Sequence, residues 1–390
     1  MNTRFALAFA VVAGIAATPA LAQDNKLRIG FMATLSGPQA LTGKHMKDGW
    51  DLGVEMLGGK IGGLDTEITV GDDELKPDVA VQIAERMVKR DHVNFVAGII
   101  FSNVLLSVAP VVLDANVFLV STNAGASPMA GKMCNKDFFS TSWQNDETPE
   151  ALGKLMQDEG VKNVYEIAPN YQAGKDMITG FERYYKGGIK GQTLFKLSQQ
   201  DFQPELSQIR ASKPDALFAF LPAGWSIPFF KQFQAAGMSN IKIYSVFSSD
   251  EVELSALGDA TVGTYMTSYW SHDLDIPANK KFVEAFRKKY NYDPSQYAAQ
   301  SYDGALLIDS AVRAVKGDLK NRNGMRAAMM KADYASTRGK YTYNVNHFPI
   351  ENFYKIEVVK TPAGKVELKN RGIVFKDHKD SYAKDCKISG

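Results

Sequence analysis

Residues 27–57 read LRIGFMATLSGPQALTGKHMKDGWDLGVEML. This stretch decides the fold class, because its hydrophobic period changes partway along. Residues 27–33 (LRIGFMA) form a short apolar run of the kind that makes a buried strand. Ser36-Gly37-Pro38 marks a turn. From 42 to 57, Met46, Trp50, Gly53, Val54 and Leu57 recur at helical spacing, and Gly58-Gly59 ends the helix. A buried strand leading through a small polar loop into a helix is the building unit of a parallel sheet covered by helices.

Working outward, the unit repeats. Strands are expected at 67–71, 93–99 and 117–121. A helix starting at Pro77-Asp78 carries Val79, Ile83, Met87 and Val88 on one side, and Ser102 is expected as the N-cap of the helix behind 93–99. A second series has strands at 164–168, 216–220 and 242–246, with helices at 174–185 and 226–236. Long helices follow at 278–290 and 297–316, then a hairpin of 353–359 and 365–368 around Pro362-Ala363-Gly364. Two such series predict an α/β protein of two lobes, each a doubly wound parallel sheet. The glycine-rich stretch at 58–63 (GGKIGG) joins a helix to the next strand, which is the wrong end of a sheet for a phosphate cradle, so it reads as a turn.

The start of the chain sets the compartment. Residues 1–22 carry Arg4, an apolar run from 5 to 17, and Ala20-Leu21-Ala22 before Gln23, the layout of a cleavable export signal. The run is too short for a comfortable membrane span. No cysteine follows the cut, so no lipid attachment is expected there. The mature chain should be soluble outside the cytoplasm. Its 45 Lys and Arg nearly cancel 43 Asp and Glu, and loss of Arg4 with the leader lowers the net of +2 by one. That balance gives no basic stripe for nucleic acid. Cys134 and Cys386 are the two cysteines. An oxidising compartment favours their pairing as a disulfide, the alternative being two free thiols.

Catalytic patterns are missing from the sequence. His45, His92, His272, His347 and His378 are scattered without metal-ligand spacing, and neither a G-x-S-x-G elbow nor a phosphate loop occurs. Neither a cofactor nor a metal is expected. In open α/β sheets, ligands sit beyond the carboxyl ends of the strands. The loops that matter are therefore 35–42, 100–103, 122–127, 169–174, 221–225 and 247–250, rich in Ser, Thr, Asn, Gly and aromatic residues. Ser102 at a helix start offers a hydroxyl, free amides and a positive dipole end to an anion; the alternative is a cap serving only its helix. A hydrolase using Ser102 as nucleophile would need a histidine beside it. In 122–127 small residues let the backbone approach a ligand closely. Phe101, Tyr171, Trp225 and Phe247 offer aromatic surface.

At these residues the chain resembles the type I periplasmic solute-binding proteins of ABC transporters, the group of the leucine/isoleucine/valine-binding proteins. The matching segments are LRIGFMATLSGPQALTG, FVAGIIFSNVLLSVAPVV, VFLVSTNAGASPMAG and YAAQSYDGALLIDSAV. The resemblance implies two lobes joined by three crossings, near 141–145, 267–271 and 341–347. It implies a signal peptide at 1–22, an N-terminal lobe of 23–142 plus 270–342, and a C-terminal lobe and tail of 143–269 plus 343–390. It also implies a monomeric, non-enzymatic periplasmic carrier that delivers its ligand to an inner-membrane permease.

The family's ligand contacts map onto Ser102 as carboxylate binder, Asn123, Ala124, Gly125 and Tyr171; Leu35, Phe101 and Thr122 are expected beside them from their places in the strand-end loops. Ser127 is a further hydroxyl source. Two positions depart from the amino-acid binders. Pro222 stands where they carry a tyrosine, and Phe247-Ser248-Ser249 stands where they carry the acid that pairs the ammonium, with Asp250 close by. A buried ammonium without that partner is costly. The branch resembled, through the small-residue loop and Thr141-Ser142-Trp143-Gln144-Asn145-Asp146, is the one associated with aromatic carboxylates. A benzoate- or cinnamate-like acid is therefore expected. An amino acid is the alternative if Asp250 reaches the cleft.

Overall fold

A computed structural model describes residues 26–388; the expected export signal lies outside them. Two sheets organise the chain. The first is wholly parallel, in the order β2-β1-β3-β4-β5. Its strands are β1 (Leu27–Ala33), β2 (Thr66–Asp72), β3 (Phe95–Gly98), β4 (Phe118–Ser121) and β5 (Phe138–Ser140). The strand β1 is almost wholly buried because it pairs on both edges and is covered on both faces, which is why it reads as a continuous apolar run.

The second sheet takes β6 (Asn163–Pro169), β7 (Gly188–Phe195), β8 (Ala216–Phe220), β9 (Lys242–Val246) and β10 (Tyr265–Ser268) in parallel. Antiparallel strands extend one side: β11 (Thr342–Tyr343), β12 (Pro349–Lys360) and β13 (Val366–His378). The hairpin of β12 and β13 turns at 361–365, where the Lys365 carbonyl accepts from Thr361 N–H. Its second strand continues to His378, well beyond the expected 365–368, and alternates in exposure along an edge.

Helices cover both sheets. They are α1 (Ala40–Met56), α2 (Pro77–Lys89), α3 (Ser102–Asp114), α4 (Ser127–Ala130), α5 (Glu147–Asp158), α6 (Gln172–Tyr184), α7 (Gln203–Ser212), α8 (Ser226–Ala235), α9 (Glu251–Leu257), α10 (Pro277–Tyr290), α11 (Gln296–Ala314) and α12 (Arg322–Lys331). The long helix α11 is buried nearly all round, its polar Gln296, Gln300, Ser301 and Asp303 included. It lies so close to α1 that a Cβ on Gly49 would sit 2.0 Å from the Ala298 carbonyl oxygen.

The chain passes between the sheets three times: after β5, after β10, and between α12 and β12. These passages fall where 141–145, 267–271 and 341–347 were expected. Three expectations change. The step from helix 174–185 straight to strand 216–220 skips β7 and α7, and β5 and α5 had no counterpart. Gly188–Phe195 is a largely exposed edge strand with only Phe195 at its end fully buried, so it writes little hydrophobic pattern into the sequence. Ser102 is also not an N-cap. Phe101 holds that extended position, and Ser102 is the first helical residue with its hydroxyl turned elsewhere. Cys134 and Cys386 are bonded, with Cα atoms 5.6 Å apart.

Candidate functional site

The carboxyl ends of β3, β4, β6, β8 and β9 converge with the first crossing on one small cavity. The turn after β3 brings Phe101 and Ser102, and the turn after β4 brings Asn123 and Ala124. From the second sheet come Tyr171, Pro222 and Phe247. These seven of the expected residues meet there. Two of the turns use left-handed backbone at side chains that resist it, with φ of 66° at Ile99 and 54° at Phe247. Such backbone persists where surrounding packing dictates it, commonly at ligand sites.

The other expected residues lie off the wall. The Leu35 amide donates to Asp72 Oδ1 at 2.8 Å. Thr122 donates its amide to the Gly98 carbonyl at 2.9 Å, and its methyl faces Gly304 of α11. Gly125 packs on the first crossing, where a Cβ would stand 2.1 Å from the Trp143 carbonyl oxygen. Asp250 is fully buried and caps α9, accepting from the Val252 amide at 2.9 Å and from Gln296 Nε2. Burial pushes its carboxyl up to about 6, and it does not line the cavity.

Thr42, Trp143, Asn145 and Tyr297 line the cavity without having been marked as site residues. Thr42 sits in the first turns of α1 and Tyr297 at the start of α11, where each reads as an ordinary helical position. Trp143 is a lone indole among small polar residues of a crossing, a signal that could have been weighed.

Aromatic rings make most of the wall. Trp143 lies 4.6 Å from Phe247, Phe247 lies 6.2 Å from Tyr297, and Phe101 lies 6.0 Å from Tyr171. The polar groups are few and oriented. Asn145 Nδ2 donates to Ser102 Oγ at 3.0 Å and to Asp176 Oδ2 at 2.8 Å, while its Oδ1 accepts from the Gly125 amide. Because Ser102 Oγ already accepts, its own proton is free to be donated. The first bond of the α3 ladder is Leu105 N–H to Phe101 O, so the amides of Ser102, Asn103 and Val104 stand outside it. The Asn123 side chain donates to the Ile100 carbonyl and accepts from Gln300 Nε2, each at 2.6 Å.

Two buried groups on the wall have no partner: the Thr42 hydroxyl and the Trp143 indole N–H. Leaving such groups unpaired costs about 1–3 kcal/mol each. The cavity thus presents donors, and no Asp, Glu, Lys or Arg lines it. It measures about 20 Å³, room for about one water. The cleft is therefore shut. Ser127 N–H and Oγ reach Asp176 across it at 3.0 and 2.7 Å, and Gly224 N–H reaches Gln39 Oε1 at 3.1 Å.

Larger clefts lie elsewhere, of about 870 Å³ beside α11 and α12 and about 410 Å³ between α1, α9 and the start of β13. Among the described residues, neither is lined by a residue with an unpartnered buried polar atom. Ser102 has no histidine beside it among the described residues; its hydroxyl partner is Asn145.

Residues 26–364 match the periplasmic binding protein family. A Leu/Ile/Val-binding protein homolog of Brucella melitensis is 28% identical over 373 residues, covering 93% of this chain and 94% of that one. A solute-binding protein of an R. palustris ABC transporter, solved with benzoate, is 30% identical with a TM-score of 0.88, covering 93% of this chain and 100% of that one. A solute-binding protein from Rhodopseudomonas palustris BisB5, solved with 3,4-dihydroxybenzoic acid, is 26% identical with a TM-score of 0.83, covering 92% and 99%. These similar proteins are solute-binding proteins rather than enzymes. No helix among the described residues is long and apolar enough to cross a membrane.

Proposed function

Because the chain belongs to the periplasmic binding protein family, we propose that it is the solute-binding component of an ABC import system for a small aromatic carboxylate. The observation that carries this reading is the polarity of the cavity wall, which offers donors to a ligand and no carboxylate. A carboxylate is acceptor-only and matches the Ser102 O–H, the first amides of α3 and the helix dipole. An ammonium is donor-only and would stand buried beside no acidic side chain of the wall. The rings of Trp143, Phe247, Phe101 and Tyr171 suit a flat apolar body. The benzoate and dihydroxybenzoate bound by similar proteins of R. palustris point the same way.

The ligand is benzoate- or cinnamate-like, Ser102 binds its carboxylate, and Thr42 and Trp143 complete its polar contacts. A ring with a carboxylate is much larger than this cavity, so entry needs the lobes to part, and the ligand then draws them together around a cavity wider than the one described. The N-terminal lobe comprises 23–142 and 270–342 and the C-terminal lobe 143–269 and 343–390. Residues 1–22 direct export and are removed, and the carrier is a monomer that hands its ligand to a permease without chemistry.

A thermal-shift screen of the mature protein with benzoate, 4-hydroxybenzoate, cinnamate and leucine, followed by calorimetry, tests this. A ligand of the native state raises Tm by mass action. Stabilisation by the aromatic acids with leucine silent is expected; stabilisation by leucine alone would overturn the ligand class.

A further inference from the structure

Arg338 lies in the third crossing and is buried to 2% side-chain exposure. Its guanidinium gathers all three crossings. Nη1 donates to the Ser142 carbonyl at 2.8 Å and Nη2 to the Thr141 carbonyl, both in the first crossing. The group stands 4.8 Å over the Tyr269 ring of the second crossing and 5.0 Å over the Tyr341 ring of the third. Its charge is met by Glu351 of β12 at 2.7 Å and Asp303 of α11 at 3.6 Å. Asp303 is held in turn by Ser336 and Thr337.

Two side-chain paths lead from this group to the cavity through Tyr269, and a third runs along the backbone from the Thr141 and Ser142 carbonyls to Trp143. The Tyr269 ring stacks on Trp143 at 5.2 Å, and Trp143 lines the cavity with its unpaired N–H. The Tyr269 hydroxyl donates to Gln300 Oε1, and Gln300 Nε2 holds Asn123 Oδ1 at 2.6 Å. The carbonyls that Arg338 holds belong to the two residues just before Trp143. A planar fork can hold two carbonyls, an acid and a ring face at once, which an ammonium cannot.

We propose that Arg338, acting through Tyr269 and through the Thr141 and Ser142 carbonyls, is the positioning residue of the cavity wall, fixing Trp143 and Asn123 and tying their placement to the angle between the lobes. The proposal rests on this cavity being the ligand site. It makes wall shape and lobe closure one event, because the group that holds Trp143 also joins the three passages about which the lobes turn.

Removing Arg338 alone strands Asp303 and Glu351, so the test uses R338M/D303N/E351Q, which removes all three charges together. A second variant, Y269L, cuts the two side-chain paths and leaves the ion pairs and the Arg338 contacts with the Thr141 and Ser142 carbonyls. The readouts are benzoate affinity and the near-ultraviolet circular dichroism band of Trp143, isolated by subtracting each variant's W143F counterpart. Both variants should lose that band and bind benzoate roughly tenfold more weakly, and their combination should be no worse than either, as expected for residues in one chain of contacts. Lysine at 338 should not restore affinity. An unchanged Trp143 band, additive losses, or rescue by R338K would overturn the proposal. If the triple variant does not fold, Y269L decides alone. If the wild type ignores benzoate, the ligand class fails, while the Trp143 band still decides this proposal.

Discussion

At the scale of single residues, the cavity separates groups that serve the fold from groups left waiting. Asp250 and Asn123 are both held by partners within the protein, whereas the Thr42 hydroxyl and the Trp143 N–H have none. Ser102→Ala should weaken benzoate binding by about 1–3 kcal/mol, the range for a hydrogen bond to a charged group, read by calorimetry. An unchanged affinity would remove Ser102 from the ligand's contacts. Thr42→Val should act in two directions. It removes a buried hydroxyl without a partner, so the ligand-free protein should gain about 1 kcal/mol and melt later, while benzoate binds less tightly. A variant that loses both stability and affinity would show the hydroxyl is paired in the free protein.

The same contrast explains what could be read in advance. Phe101, Ser102, Asn123, Ala124, Tyr171, Pro222 and Phe247 directly follow strands, and strand ends are legible from apolar runs, so these residues could be placed at the cavity. Thr42 and Tyr297 reach it from within helices, where one polar or aromatic position carries no mark of what it faces. Asp250 looked available because it follows Phe247 by three residues. Its capping of α9 is a backbone matter decided by how the chain turns after Ser249.

At the scale of elements, longer apolar strands and periodic helices were legible; β7, largely exposed, and the buried but three-residue β5 were not. The helix α5 was hidden for another reason. Its sequence Glu147-Thr148-Pro149-Glu150 looks like solvated surface, yet all four residues are buried. Charge compensation rather than hydrophobic period makes that possible. Arg183 on α6 pairs with Asp146 at 2.9 Å and with Glu150, which also meets the His378 ring of the hairpin through a hydrogen bond.

The cost of this burial shows in the acids. Burial lifts Asp146 to about 7 and Glu351 to about 7, and holds Glu147 well above the usual carboxylate range. Glu166 on β6 is also raised by burial, to about 7. Between their unfolded and folded pKa values the native state binds more protons than the unfolded one, so stability falls as pH rises through that window. Tm should therefore be higher near pH 5.5 than near pH 8, in scans with a single buffer of constant ionic strength. In more acid solution Asp137 takes over. Its contacts with Arg326 and Arg322 hold it below the ordinary value despite burial, so its stabilisation is lost as pH falls through its folded pKa. A Tm that climbs steadily towards pH 8 would contradict the assignment of these acids as buried and protonating.

At the scale of the molecule, the two sheets are joined by more than three passages of backbone. The tail beyond β13 returns to the first sheet's side and is bonded through Cys386 to Cys134, in the loop between α4 and β5. On the way, Asp380 accepts from Asn344 and Asn346 at 3.0 Å, and Tyr382 donates to Asp146 at 2.9 Å. Replacing both cysteines by serine should lower stability by up to about 5 kcal/mol, the loop-entropy figure for so long a closure. Denaturant melts of the oxidised and double-serine forms measure it, and equal midpoints would mean the tail docks as firmly without the bond.

The bond also changes what a cut means. It spans 252 positions of the chain, so most of the protein is a covalent ring with two free ends. A protease that nicks any loop inside that ring opens it without releasing a fragment, and both halves of the cleft stay joined to the same molecule until a reductant arrives.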